Sequence, residues 1–145
     1  THIDKERSYG MANFLYPSIK TKMLTGQFNW TSDDVVAVLV ATGQYIPSIN
    51  HATMLDVSAS ARVATSDVLT GKTVDVNVVD ADDYLYTYVA GPPVDAVLLV
   101  NKGTNDATSY LICHLDETVV GLPFNPSAAP VQLTWDNGPN KIFAL

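Results

Sequence analysis

An all-β fold, a two-layer antiparallel sandwich carrying one short N-terminal helix, is predicted by three observations. Short runs of β-branched and aromatic residues alternate with polar ones, most clearly across Thr73–Ala90. Turn signals separate the runs, among them Thr70-Gly71-Lys72, Asp80-Ala81-Asp82-Asp83, Gly91-Pro92-Pro93 and Asp136-Asn137-Gly138-Pro139-Asn140. Asp outnumbers Glu by 13 to 2, which suits a turn-rich chain because Asp favours turns and Glu favours helices.

The elements follow in order. Thr1–Gly10 is polar and mixed in charge, and reads either as an arm ordered by a neighbour or as a frayed terminus. Asn13–Gly26 is the helix: Asn13 is a candidate cap, Pro17 fits its first turn, Tyr16, Ile19 and Met23 share one face, and Gly26 stops it. Val35–Ala41 is apolar on both faces and is the candidate central strand. His51–Asp56 is expected to form a helical turn. Ala61–Leu69 and Thr73–Val79 are expected to pair across Gly71, with Val74, Val76 and Val78 on one face. Tyr84–Ala90 and Val94–Val100 are expected to pair across Gly91-Pro92-Pro93. Tyr110–Leu115 follows, then a proline-containing loop over Glu117–Pro130. Val131–Trp135 and Lys141–Leu145 close the fold. Roughly seven to nine short strands at this spacing imply two packed antiparallel layers.

Length and composition bound the object. A chain of 145 residues, 47% hydrophobic and 16% charged, suits one domain (11–145) preceded by a flexible arm (1–10). Its one cysteine, Cys113, lies in a strand-like run and reads as a buried thiol. The net charge of −7, with no Lys/Arg cluster, argues against nucleic acid as a partner. The longest wholly apolar run is Val35–Ala41, too short to span a bilayer, and the polar N-terminus shows no signal-peptide core, so no membrane partner is expected.

No catalytic apparatus or cofactor motif is legible. His2, His51 and His114 are scattered, without the spacing of a zinc site, and no GxSxG elbow is present. The chain is therefore expected to be a non-enzyme without cofactors. Asp80, Asp82 and Asp83 form the densest carboxylate group and read either as turn formers or as cation ligands. Tyr84, Tyr86 and Tyr88 recur at period two. Exposed, they would make a stripe for protein contact or sugar stacking; buried, they would be core.

Several segments carry a family resemblance: Met11-Ala12-Asn13-Phe14-Leu15-Tyr16, Leu24-Thr25-Gly26-Gln27-Phe28-Asn29-Trp30, Ala61-Arg62-Val63-Ala64, Leu69-Thr70-Gly71-Lys72-Thr73, Asp80-Ala81-Asp82-Asp83, Ala107-Thr108-Ser109-Tyr110-Leu111-Ile112, Gly121-Leu122-Pro123 and Thr134-Trp135-Asp136-Asn137-Gly138. Together they resemble small virion structural proteins of tailed bacteriophages, from Met11 onward, with Thr1–Gly10 outside the pattern. The resemblance implies a capsid decoration or cement protein, made in the bacterial host cytoplasm and seated on the outer capsid surface. Its implied partners are the major capsid protein and neighbouring copies of itself, as a homo-oligomer on the head. A minor tail or neck protein, or a carbohydrate-binding sandwich on the virion, is the alternative. The residues expected to touch partners are Thr1, His2, Ile3, Asp4, Lys5, Glu6 and Arg7 in the arm, together with Tyr84, Tyr86 and Tyr88.

Overall fold

A computed structural model of the chain describes residues 13–116, 119–138 and 141–145. Among the described residues the strands are β1 (Phe14–Leu15), β2 (Val35–Ala41), β3 (Arg62–Thr65), β4 (Thr73–Asp75), β5 (Val78–Asp80), β6 (Tyr84–Val89), β7 (Val94–Asn101), β8 (Tyr110–Leu115), β9 (Val119–Val120), β10 (Ala129–Trp135) and β11 (Phe143–Ala144). One α-helix, α1 (Pro17–Leu24), and three short 3-10 turns complete an all-β fold. The strands form three antiparallel sheets, ordered β1-β8-β7-β2-β3, β6-β10-β9 and β11-β5-β4.

β2 lies inside the largest sheet, paired with β7 from Val35↔Asn101 to Ala41↔Val94, and all seven of its residues are buried. Strand alternation divides them between two cores. Val35, Ala37 and Leu39 join Val97, Leu99, Ile112 and Leu115 on one face. Val36, Val38 and Val40 join Ala96, Leu98, Val100 and Leu111 on the other. A strand covered on both faces has no polar side to alternate with, which is why this run reads as unbroken apolar sequence.

The two smaller sheets supply Tyr86, Val89, Leu133, Trp135, Val79 and Phe143 to the first core. The second core is closed by Phe14, Tyr16, Tyr45, Met54, Val57 and Ala61. Arg62 fastens this cover: its guanidinium donates to the carbonyls of Met54 (2.7 Å) and Val57 (2.6 Å) and pairs with Asp106 at 3.0 Å.

Several expectations are corrected. The helix begins at Pro17 behind an extended Tyr16, not at Asn13. The Asn13 amide oxygen instead accepts from the Asp116 backbone N–H at 2.8 Å, tying the start of β1 to the end of β8. Gly26 does follow the helix, with φ +74°.

The hairpin across Gly71 is absent, because β3 pairs with β2 and β4 pairs with β5. The chain reverses at Val76-Asn77, so Val74 lies opposite Val79 and the stripe of Val74, Val76 and Val78 does not form. Gly91-Pro92-Pro93 likewise joins no hairpin. β6 pairs with β10, while β7 pairs with β2 and β8, so these residues carry the chain from one sheet to another. β10 pairs with β6 and β9, and β11 with β5. Within the expected loop after β8, β9 forms and Phe124 exchanges two 2.9 Å backbone bonds with Val94.

Candidate functional site

The acidic turn is occupied by tryptophans. Trp30 Nε1 donates to the Asp80 carbonyl at 3.1 Å, and Trp135 Nε1 donates to the Asp82 carbonyl at 3.0 Å. The Asp83 carboxylate accepts from the Trp135 backbone N–H at 3.0 Å, and the Asp82 carboxylate accepts from the Thr70 hydroxyl at 3.1 Å. Both indoles are buried. A buried indole N–H needs an acceptor, and this turn supplies one to each. Gly71 permits the arrangement. It has φ +65°, and an added Cβ would collide with the Asp82 carboxylate. Among the described residues no three His, Cys, Asp or Glu side chains converge as metal ligands.

The tyrosines do not share one exposed stripe. Tyr86 is 4% exposed, and its hydroxyl donates to the Ala37 carbonyl at 2.7 Å. Tyr84 is half-buried edge-on against the Tyr86 ring, and its hydroxyl accepts from the Asp67 backbone N–H. Tyr88 is 64% exposed. The physical reason is a bulge: Val131 pairs with Tyr86 and Ala129 with Val89, so Thr87 and Tyr88 together oppose Pro130. One extra residue shifts the alternation, turning Tyr88 outward and Val89 inward. Thr1, His2, Ile3, Asp4, Lys5, Glu6 and Arg7 lie outside the described residues.

The second core holds a polar chain that sequence reasoning missed. Tyr16 and Tyr45 share a 2.7 Å hydroxyl bond, and the Tyr45 hydroxyl meets His51 Nδ1 at 2.8 Å. Burial pushes the Tyr45 hydroxyl up to about 12, and raises that of Tyr16 further. The Asp56 carboxylate accepts from the backbone N–H groups of Ala52 and Thr53, which hold it below the usual carboxylate range. His114 is 5% exposed, packs beside Phe14, and is lowered to about 4 by burial. These groups join the cover to the sheet. Among them, no serine or cysteine sits within bonding reach of a histidine in the manner of an activated nucleophile.

An open apolar groove of about 430 Å³ lies between the end of α1, residues 28–31, the β4–β5 hairpin and β11. Its floor is a row of cross-strand neighbours, Val74, Val79 and Phe143, facing Phe28 and Trp30. Phe143 meets Trp30 edge to face at 5.6 Å. At the rim stand Val76, 94% exposed, and Leu145, 63% exposed. Val76 has φ +60°. For a β-branched residue this conformation costs about 1–2 kcal/mol. No sequence signal marks this groove, because valine at alternating positions reads as strand.

The chain matches no family model and no curated protein sequence.

Proposed function

We propose that this chain is a bacteriophage virion structural protein of the decoration or cement type, docking on the major capsid protein beside copies of itself. The reading rests on the resemblance carried by segments from Met11 to Gly138. The observation that best supports it is the placement of large apolar side chains in solvent at widely separated positions. Val76, Leu24, Ile46, Leu55, Tyr88 and Val120 are each at least 60% exposed, in an otherwise acidic chain. Exposed apolar residues at several sites leave area for contact with several neighbours, although singly scattered ones are ordinary on protein surfaces.

In this proposal the fold is a two-layer antiparallel sandwich. The five-stranded sheet is one layer and the two three-stranded sheets the other, an arrangement supported by their shared core. A stiff body of this kind stabilises a shell by mass action. Binding the assembled lattice and not its free subunits shifts the equilibrium toward the shell, by about 2.7 kcal/mol per site at a hundredfold excess over Kd. Negative charge suits the outer surface, away from packaged nucleic acid. Thr1–Arg7 is proposed to reach a neighbouring subunit.

The test is to add purified protein to heads assembled without it and locate its density. Regular occupancy over the head surface, with greater resistance of the heads to heat, is expected. Absence from the head refutes the proposal, and density restricted to the tail or neck replaces it with the minor-component reading. Removing residues 1–7 is expected to lower occupancy; unchanged occupancy removes the arm from the mechanism.

A further inference from the structure

Asn137-Gly138 is the only Asn-Gly pair in the chain. It lies just past Trp135, where β10 ends, and Asn137 is exposed outside any strand. An asparagine side chain holds an electrophilic carbon, Cγ, close to the next peptide nitrogen. Attack by that nitrogen closes a five-membered ring. Glycine obstructs the closure least, because it has no Cβ and its backbone reaches conformations that other residues avoid.

In a folded chain the attack requires that both the side-chain amide and the following N–H be free to move. Hydrogen bonds hold most of the asparagines here. Asn13 Oδ1 accepts from the Asp116 N–H at 2.8 Å, and Asn29 Oδ1 from the Thr31 and Ser32 N–H groups at 3.0 and 3.1 Å. Asn77 Nδ2 donates to the Leu145 carbonyl, and Asn101 Nδ2 to the Asp34 carbonyl at 3.1 Å. Asn105 Oδ1 accepts from the Thr108 N–H at 3.1 Å. Asn50 is exposed, but the nitrogen that would attack it is engaged, since the His51 N–H donates to the Ser48 carbonyl at 3.0 Å. Asn125 precedes Pro126, whose nitrogen carries no hydrogen.

Asn137 differs from all of these. Among the described residues neither its amide nor the Gly138 N–H has a hydrogen-bond partner; Gly138 is engaged through its carbonyl, which accepts from the Lys141 N–H at 3.1 Å. A Cβ added at Gly138 would stand 2.9 Å from Asp136 Oδ2, so the local packing also favours glycine beside this asparagine.

We propose that Asn137 is a site of spontaneous deamidation. The Gly138 nitrogen loses its proton to solvent and bonds to Asn137 Cγ. The bond from Cγ to Nδ2 breaks, and Nδ2 takes up a proton and leaves as ammonia. Water then opens the succinimide, either at Cγ to give aspartate or at the backbone carbonyl carbon to give isoaspartate, whose backbone is longer by one carbon. One water is consumed and one ammonia released. Either product adds one negative charge to the net −7, in the connection between β10 and β11. This chemistry does not depend on the decoration proposal.

The test incubates the full native chain at mildly alkaline pH, with a parallel sample in urea, and follows each asparagine by peptide mass spectrometry. Asn137 is expected to react first, giving aspartate and isoaspartate peptides that separate by chromatography. Its native rate is expected to lie within about fivefold of its rate in urea, as for a segment that opens at almost no cost. Asn29, Asn77 and Asn101 are expected to react more slowly in the native chain than in urea. Gly138→Ala is expected to slow the reaction at Asn137 about tenfold. Asn137→Gln should remove the early acidic form seen on isoelectric focusing. A native rate at Asn137 further below the urea rate, another asparagine reacting first, or Gly138→Ala reacting as fast as wild type overturns the proposal.

Discussion

Replacing Ser66 by alanine is expected to cost more stability than its size suggests. Beyond Thr65 the edge of β2 is no longer covered by a strand, and Ser66 takes over. Its backbone N–H donates to the Ala37 carbonyl at 2.9 Å, and its hydroxyl accepts from the Ala37 N–H at 2.8 Å. The same hydroxyl donates to the Asp67 carbonyl at 2.7 Å. Ala37 is 0% exposed, so Ser66→Ala strands its N–H away from water. An orphaned buried donor costs about 1–3 kcal/mol. With an unfolding entropy of about 0.3 kcal/mol/K for a chain of this length, a loss of about 2 kcal/mol lowers Tm by about 6 °C. Tyr86→Phe is the internal comparison. It removes a 2.7 Å bond to the Ala37 carbonyl, but that oxygen keeps the Ser66 N–H, so the expected loss is about 1 kcal/mol. Calorimetry of both variants checks the ordering. A Ser66→Ala shift below that of Tyr86→Phe would refute the view that this side chain continues the sheet.

Three other outcomes are expected. Gly71→Ala forces a Cβ against the Asp82 carboxylate at positive φ, so chemical denaturation should show a loss of about 1–2 kcal/mol and weakened packing of Trp135 by near-UV circular dichroism. His114 is lowered by burial from 6.5 to about 4, so the unfolded chain binds its proton first as pH falls. Stability is therefore full above pH 6.5, declines between 6.5 and 4 by up to about 3 kcal/mol, and loses nothing more from this group below that; His114→Leu should flatten this slope in urea titrations. Val76→Gly should slow unfolding or raise the urea midpoint in the isolated chain, and an unchanged midpoint would mean that the turn stores no strain.

Much of the fold's local grammar was legible. The run at Val35–Ala41 is the buried central strand, Pro17 opens the helix, Gly26 follows it, and Cys113 is buried. Pairing was not legible, for a physical reason. A turn signal such as Gly91-Pro92-Pro93 says that the chain changes direction, but not whether it returns to the same sheet or crosses to another. Alternation failed where one residue is added or the backbone reverses. The bulge at Thr87–Tyr88 inverted the tyrosine stripe, and a valine in a left-handed turn passed for a strand residue. The acidic turn was ambiguous because carboxylates suit both turns and cations. Its use as an acceptor for Trp30 and Trp135 depends on contacts between residues about fifty positions apart.

The buried sulfur of Cys113 has a practical corollary. It is 1% exposed, and burial raises its thiol well above the ordinary range, so the native fold leaves it poorly reactive toward alkylating reagents. A cysteine introduced at an exposed position such as Tyr88 would be a unique chemical handle, to which a fluorophore, a peptide epitope or a gold cluster can be coupled without first removing the native one.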